Sequence, residues 1–349
     1  MPERTRQMAE SDAHSPPQTK AHQGHLIRLA VLIAALAVIG TGAWVVFAGS
    51  AGVSDPLARQ FNLDDLQLNR ADILSGGVPK DGIPALTKPA TVPAGDIMPP
   101  NYRVVSVTIK DQTRAYPINI LNWHEIINDT LAGVPIAVIY CPLCDSVSVV
   151  DRRINDQTLE FGVSGQLANS NVLMYDRTDQ ALWSQVALTA ISGPNAGKSL
   201  KHLPFEITRY HLWRDRHPDA SVISFDTGHR IAYNVWAYGD YFQHDRISYP
   251  LSHHDDRLPV KTRVIGIQLG DTTRAYPIDA VRLADDGELT DTLGKARITL
   301  RAAGPGTVRI VEAPPKAKIV HTFWFAWAAF HPDTELYGQA ERNNHGAQP

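Results

Sequence analysis

The sequence predicts an internally duplicated, strand-rich α+β fold with mixed or antiparallel sheets and a few helices, preceded by one transmembrane helix. Two observations predict this class. A run without charges extends from Leu29 to Phe47, and a strand-turn-strand pattern that contains the residues RAYPI occurs twice. The short links between strands favour antiparallel neighbours. The net charge is −3 and the basic residues are scattered, so no nucleic-acid partner is predicted.

The run from Leu29 to Phe47 is close to the roughly 20 residues that a helix needs to cross a bilayer. Four basic residues precede it, and the next charge after it is Asp55. The positive-inside rule therefore predicts a cytoplasmic N-terminus, a single-pass membrane anchor and a body that is periplasmic or extracellular. A cleaved signal peptide is the alternative, but the apolar run exceeds the roughly 7–15 residues of a signal core.

The duplication is visible in three pairs of segments. "VVSVTIKDQTRAYPINIL" from Val104 matches "VIGIQLGDTTRAYPIDAV" from Val264, and each is predicted to form two strands followed by a helix. "NDTLAGVPIAVIY" matches "TDTLGKARITLRA", and the residues HPD recur near the end of each copy. The predicted boundaries follow from this pattern: cytoplasmic tail 1–25, anchor 26–48, spacer and Gly/Pro-rich loop 49–100, first repeat 101–230, connector 231–262, degenerate second repeat 263–338, and tail 339–349.

Both cysteines of the chain lie in "VPIAVIYCPLCDSVSVVDR", two residues apart. In thioredoxin-like proteins the first cysteine of such a pair begins a helix. Here the residues after Cys144 have the β-branched, alternating pattern of a strand, so the pair is predicted to lie at a hairpin turn. Three interpretations remain open at this point, namely a metal site, a redox-active dithiol and an ordinary disulfide.

Several motifs resemble a known family. The segments "SGGVPKDGIPAL", "RAYPINILNWHEIINDTLAGVPIAVIYCPLCDSV", "FGVSGQLANSNVLMYDR" and "LWSQ" are similar to the bacterial and archaeal family called domain of unknown function 3179. The resemblance covers about residues 70–225 and implies an exported or membrane-anchored protein without an established activity. The chain departs from the family pattern at Asp145, where a small residue is usual, and at Ala181, where Ser is common.

Comparison of the two copies indicates a site. The second copy keeps RAYPI but lacks counterparts of Cys141, Cys144 and His124, as expected if these three form one site in the first copy. Two thiolates and an imidazole suit copper, zinc or iron, and a fourth ligand could be water, Met174, Glu125 or a connector histidine. A buried helix histidine bonded to a backbone carbonyl is the alternative for His124.

A polar segment follows the cysteines. Asp176, Arg177, Trp183 and Gln185 are candidates for a substrate surface or for hydrogen bonds that orient the ligands, whereas turn formation is the alternative. Glu125 and the two cysteines are the candidates for catalysis. The sequence thus predicts a membrane-anchored metal-binding or redox protein with an electron-transfer partner of unknown identity. The competing hypothesis is a non-enzymatic binding or structural module in which a disulfide stiffens one hairpin.

Overall fold

The computed structural model describes residues 55–339, and strands make up most of the regular structure. These residues belong to one compact unit. The helices are α1 (Ile118–His124), α2 (Tyr210–Arg216), α3 (Ile278–Leu283) and α4 (Trp324–Phe330). The strands are β1 (Leu74–Ser75), β2 (Leu86–Thr87), β3 (Thr91–Pro93), β4 (Arg103–Ile109), β5 (Gln112–Pro117), β6 (Ile126–Leu131), β7 (Val134–Cys141), β8 (Ser146–Asp151), β9 (Arg153–Ile154), β10 (Gln157–Thr158), β11 (Phe161–Ala168), β12 (Asn171–Asp176), β13 (Leu182–Ser184), β14 (Thr189–Ala190), β15 (Lys201–His202), β16 (Phe205–Arg209), β17 (Ser221–Ile223), β18 (Arg263–Leu269), β19 (Thr272–Pro277), β20 (Glu288–Leu293), β21 (Ala296–Ala302), β22 (Val308–Glu312), β23 (Lys318–Phe323) and β24 (Glu335–Leu336).

The two copies have the same strand order. In the first copy the order is β16-β4-β5-β17, and in the second it is β23-β18-β19-β24. The last strand of each set pairs in parallel with its neighbour, and the other pairs are antiparallel. A helix follows the equivalent strand in both copies: α1 follows β5 and α3 follows β19, while α2 follows β16 and α4 follows β23. The mixed sheets and the few short helices agree with the predicted fold class.

The RAYPI motif is a structural element in both copies. Its Arg and Tyr lie two residues apart, so both side chains project from the same face of a strand. Both bind the Asp of the NDTL or TDTL segment at 2.5–2.9 Å, as Arg114 and Tyr116 do with Asp129 in the first copy, and as Arg274 and Tyr276 do with Asp291 in the second. Each copy therefore contains the same ion-paired link between its first hairpin and its next strand.

The copies differ by an insertion in the first. Residues 152–204 separate β8 from β16, whereas residues 313–317 separate the corresponding β22 and β23. The insertion supplies most of a separate five-stranded sheet of order β1-β11-β12-β13-β14. The segments FGVSGQLANSNVLMYDR and LWSQ belong to this sheet. It packs on the β7–β8 hairpin, because residues of both share one hydrophobic core.

The copies are joined through one sheet. Strands of both lie in a nine-stranded sheet of order β2-β6-β7-β8-β23-β18-β19-β24, in which β15 also pairs with β8. The seam is the β8–β23 contact, where His321 pairs with Val147. The connector between the copies contains no strand, and its one regular element is the short 3₁₀ helix Asp240–Gln243. The two repeats are thus parts of one structure rather than independent domains.

Two sequence predictions differ in detail from this structure. The helix that the sequence predicts after the second strand of the first copy, over 118–128, ends at His124, because Glu125 has a positive φ of 57° and the β-branched residues after it form β6. The Gly/Pro-rich region contains the short strands β1 to β3 rather than loop alone. No helix within residues 55–339 is long and apolar enough to cross a membrane. The predicted anchor over 26–48 lies outside the described residues.

Candidate functional site

The cysteines lie on the β7–β8 hairpin, at the turn that the strand pattern predicts. Cys141 is the last residue of β7 and pairs with Ser146, the first residue of β8. Within the turn, the N–H of Cys144 donates to the carbonyl oxygen of Cys141 at 3.3 Å. Both cysteines are free thiols, 1% and 0% exposed. The site is therefore a buried dithiol in which the turn holds both sulfurs on one side of the sheet.

The turn between β11 and β12 lies directly against the sulfurs. Asn169 and Ser170 both have positive φ, as the central residues of a tight hairpin turn require. This turn places the carbonyl oxygen of Ser170 3.3 Å from the sulfur of Cys144 and 3.9 Å from that of Cys141. Either thiol can donate its proton to this oxygen. The inserted sheet of the first copy thus completes the surroundings of the dithiol.

The two thiols have different surroundings. Burial raises the pKa of Cys141, but the Cys144 thiol and the backbone N–H groups of Val172, Cys144 and Leu143 donate to its sulfur and lower that pKa below its usual value. Burial raises the pKa of Cys144, and its hydrogen bond to Cys141 raises it further. Hydrogen bonds to a charged form favour that form. Cys141 is therefore the thiol that ionises first, and Cys144 is the one that keeps its proton.

Three further ionisable groups interact with the dithiol. Glu125 is buried, and burial together with the nearby Cys141 raises its pKa well above the usual value. Tyr238 and Tyr241 come from the connector, and burial raises the pKa of both. Tyr238 interacts with Glu125 and Cys141, and Tyr241 interacts with both cysteines. Burial therefore disfavours the charged forms of the carboxyl group and of the two phenols near the sulfurs.

His124 serves a different purpose from the one that the copy comparison suggested. Its Nδ1 lies 2.7 Å from the carbonyl oxygen of Pro84, and its Nε2 lies 2.6 Å from the hydroxyl of Tyr233. A carbonyl only accepts, so Nδ1 carries the proton and Nε2 accepts from Tyr233. Burial lowers the pKa of His124 and keeps the ring neutral. Both nitrogens are thus engaged in holding the loop before β2 and the connector against α1.

The predicted three-ligand set is not assembled. Within the part of the chain that the structure describes, no group of three or more His, Cys, Asp or Glu side chains is placed to hold a metal ion. His124 is the ligand that is missing, because its Nε2 lone pair already accepts a hydrogen bond. The alternative that the sequence left open for His124, a buried helix histidine bonded to a backbone carbonyl, describes its position.

Asp145, which departs from the family pattern, lies at the centre of a buried ion cluster. Arg103 donates two hydrogen bonds to its carboxylate at 2.8 and 2.9 Å, Arg263 donates one at 2.6 Å, and Tyr140 adds a fourth at 2.9 Å. Arg103 and Arg263 occupy equivalent positions, each being the first residue of its copy's first strand. Burial opposes ionisation, but the two guanidinium groups hold the pKa of Asp145 well below its usual range. Asp145 therefore ties the cysteine turn to both copies.

Three of the four predicted polar candidates have structural contacts. Asp176 accepts from the backbone N–H of Asp179 at 2.6 Å and from the indole N–H of Trp183 at 2.8 Å, so both residues fix the turn after β12. Arg177 is half exposed and pairs with Asp81 at 2.8 Å. These contacts agree with turn formation, and within residues 55–339 none of the three side chains forms a hydrogen bond with either thiol.

Gln185 belongs to the hydrogen-bond network that supports the dithiol. Its Oε1 accepts from Ser146 at 2.7 Å and from Asn171 at 2.8 Å, and its Nε2 donates to Ser148 at 2.8 Å. The Asn171 side chain also forms a hydrogen bond with Cys144. Gln185 thus connects the β7–β8 hairpin to β12. Asn171 and the Ser170 carbonyl were missed at the sequence level because their residue types already suited a turn.

The comparisons with known proteins identify a family. No curated protein and no solved structure matches the chain. One family model, described as a protein of unknown function (DUF3179), matches residues 80–320, which is more than half of the chain. The match includes the β7–β8 hairpin, the insertion, the connector and most of the second copy. The chain belongs to the DUF3179 family.

Proposed function

We propose that this protein is a membrane-anchored, extracytoplasmic redox protein whose active group is the dithiol of Cys141 and Cys144. One observation carries the proposal, namely that the two buried free thiols lie against the same oxygen atom, with the Ser170 carbonyl oxygen 3.3 Å from the Cys144 sulfur and 3.9 Å from the Cys141 sulfur. The lowered pKa of Cys141 and the raised pKa of Cys144 support a thiolate beside a thiol. A thiolate with a neighbouring thiol is the arrangement that forms and breaks a disulfide.

The reaction transfers two electrons. The Cys141 thiolate attacks an oxidant, and the sulfur of Cys144 then forms the disulfide as it loses its proton. The Ser170 carbonyl oxygen, 3.3 Å from Cys144, holds the second thiol beside the first. The asymmetric surroundings assign Cys141 as the nucleophile and Cys144 as its partner. The location outside the cytoplasm rests on the uncharged run from Leu29 to Phe47 and the basic residues before it.

The test uses the full chain, purified from membranes in detergent. After equilibration with mixtures of reduced and oxidised dithiothreitol, the remaining thiols are trapped and counted. We expect one two-electron transition at a potential above the roughly −300 mV below which structural disulfides fall. Cys141→Ser and Cys144→Ser should each abolish it. A pair that stays oxidised until the chain unfolds would instead support the non-enzymatic module.

Elemental analysis of the same preparation addresses the metal hypothesis. A metal site here would have to use the two thiolates without His124, and soft thiolate pairs suit copper(I). Stoichiometric metal that both serine variants lose, together with thiols that fail to equilibrate with dithiothreitol, would replace the redox proposal. A reporter fused after Pro349 tests the location, because activity in the cytoplasm would contradict the predicted topology.

A further inference from the structure

The dithiol is enclosed by two segments, the β11–β12 turn and the connector. The β11–β12 turn covers one side with the Ser170 carbonyl. The connector covers another, since several of its apolar side chains pack on the core cluster that contains both cysteines; these are Phe242, Ile247, Tyr249, Leu251 and Val260. A protein disulfide has to place a sulfur in line with the attacking thiolate. No such approach exists while these segments are in place, so the oxidant must be small.

Three of the described residues in these two segments have buried polar groups without hydrogen-bond partners. The hydroxyl of Ser170, the Oδ1 atom of Asn171 and the hydroxyl of Tyr241 are buried and have no hydrogen-bond partner within residues 55–339. The Ser170 carbonyl oxygen lies 3.3 Å from the Cys144 sulfur, and Asn171 follows Ser170 in the same hairpin. Tyr241 precedes Phe242, which packs on the core cluster that contains both cysteines. Leaving a buried polar group unpaired costs about 1–3 kcal/mol, so such groups call for an explanation, and a small polar guest supplies one.

From the enclosure and these unpaired groups we infer that the oxidant of the dithiol is hydrogen peroxide, held beside Cys141 by Ser170, Asn171 and Tyr241. The inference rests on the proposed dithiol function. Hydrogen peroxide has donors and acceptors on both oxygens and is barely larger than water. It therefore matches two hydroxyls, which donate or accept, and one amide oxygen, which accepts.

The chemistry balances without a metal or a further oxidant. The Cys141 thiol loses its proton and its sulfur attacks one oxygen of HOOH, the O–O bond breaks, and the departing hydroxide takes up that proton, leaving a sulfenic acid at Cys141 and one water. The Cys144 sulfur then attacks the Cys141 sulfur. Its thiol proton leaves with the sulfenic hydroxyl as a second water, and the disulfide forms. Peroxide is reduced by two electrons, and an external dithiol returns the pair to its reduced state.

The experiment compares oxidants on the reduced full chain in detergent, by following thiol loss. We expect hydrogen peroxide to react on the order of 100-fold faster with the folded chain than with the same chain in urea, and to form one disulfide per peroxide. The enclosure further predicts that cumene hydroperoxide, a bulky peroxide, reacts more slowly than hydrogen peroxide. Diamide, a thiol oxidant that acts without a peroxide bond, reports whether the dithiol is redox-active at all.

Two matched connector variants test the polar groups. Tyr241→Phe removes an unpaired hydroxyl and should slow the peroxide reaction about tenfold or more. Tyr249→Phe removes a hydroxyl that already donates to the Gly76 carbonyl at 3.0 Å, and it should leave the peroxide rate unchanged. A Tyr241→Phe rate equal to that of the unsubstituted chain would overturn the assigned peroxide position.

The outcomes separate the two proposals. Disulfide formation with diamide, combined with a peroxide rate no faster than in urea, would overturn the peroxide inference and leave the dithiol function standing. Failure with both oxidants would overturn both. A stable mixed disulfide between the Cys144→Ser variant and a protein substrate would show that the connector opens to large partners, which also contradicts the inference.

Discussion

Replacing Asp145 with asparagine should destabilise the fold strongly, because it removes the one carboxylate that two arginines share. The Arg103 side chain is 14% exposed and Asp145 is 1% exposed, so their pair is buried, and breaking a buried pair costs about 3–5 kcal/mol. The Arg263 side chain is 44% exposed, so its share should stay below about 1 kcal/mol. The expected loss is therefore about 3–5 kcal/mol, almost all of it from Arg103.

The assay is urea unfolding of the purified chain, followed by tryptophan fluorescence. Asp279→Asn is the matched control, since Asp279 pairs with Arg282 on the surface of α3 at 3.2 Å and both side chains are more than half exposed. We expect a change within about 0.5 kcal/mol for this control. A loss below about 1 kcal/mol for Asp145→Asn would refute the argument, because it would mean that water already solvates the Arg103 pair.

The Asp145→Asn variant should also differ from the unsubstituted chain in how its stability changes at low pH. The pKa of Asp145 is lowered in the folded chain, so the unfolded chain binds its proton first as the pH falls. The stability that Asp145 contributes is fully present above its unfolded pKa of about 4 and is lost as the pH falls below that value. Asp145→Asn should therefore show a shallower loss of stability below about pH 4 than the unsubstituted chain.

Three more predictions concern the site. The ultraviolet absorbance of the thiolate should show one ionisation below the usual thiol pKa. Cys141→Ser should remove it, and Cys144→Ala, which deletes a donor to the Cys141 sulfur, should shift it upward. Glu125→Gln should raise the unfolding free energy at neutral pH. The pKa of Glu125 is raised in the folded chain, so burying its charge costs more as the pH rises. The gain should vanish below about pH 4, where the carboxyl is protonated in both states. His124→Phe should lower the unfolding free energy by about 1–3 kcal/mol and speed proteolysis of the connector, because it removes the Tyr233 contact. The ionisation of the thiols should not change. A metal-ligand role for His124 would instead leave the connector intact.

Local sequence patterns predicted the local parts of this structure. The alternating β-branched residues after Cys144 placed the cysteines on a hairpin, and the repeated RAYPI segments predicted equivalent strands in both copies. Strand and turn propensities act over a few residues, so the printed sequence contains them. The pairing of Asp145 with Arg103 and Arg263 depends instead on contacts across 42 and 118 residues, and the connector lies similarly far from the dithiol along the chain. Periodicity does not encode contacts of this kind.

The copy comparison at His124 has an alternative explanation. Its absence from the second copy suggested a shared site with the cysteines, but any contact specific to the first copy produces the same absence. His124 binds Tyr233 of the connector, and this contact belongs to the first copy. Comparison of the copies therefore identified the residues that depend on first-copy contacts. The comparison did not distinguish residues that react from residues that hold the connector over the dithiol.

The position of the cysteine turn between the copies has a consequence for biosynthesis. The carbonyl of Cys144 accepts hydrogen bonds from the N–H of Phe323 and the hydroxyl of Thr322, the latter 178 residues further along the chain. Until the ribosome has made β23, the turn lacks these partners and its thiols face the surroundings. The turn is therefore completed late, because the chain must extend about 178 residues beyond Cys144 before these partners exist.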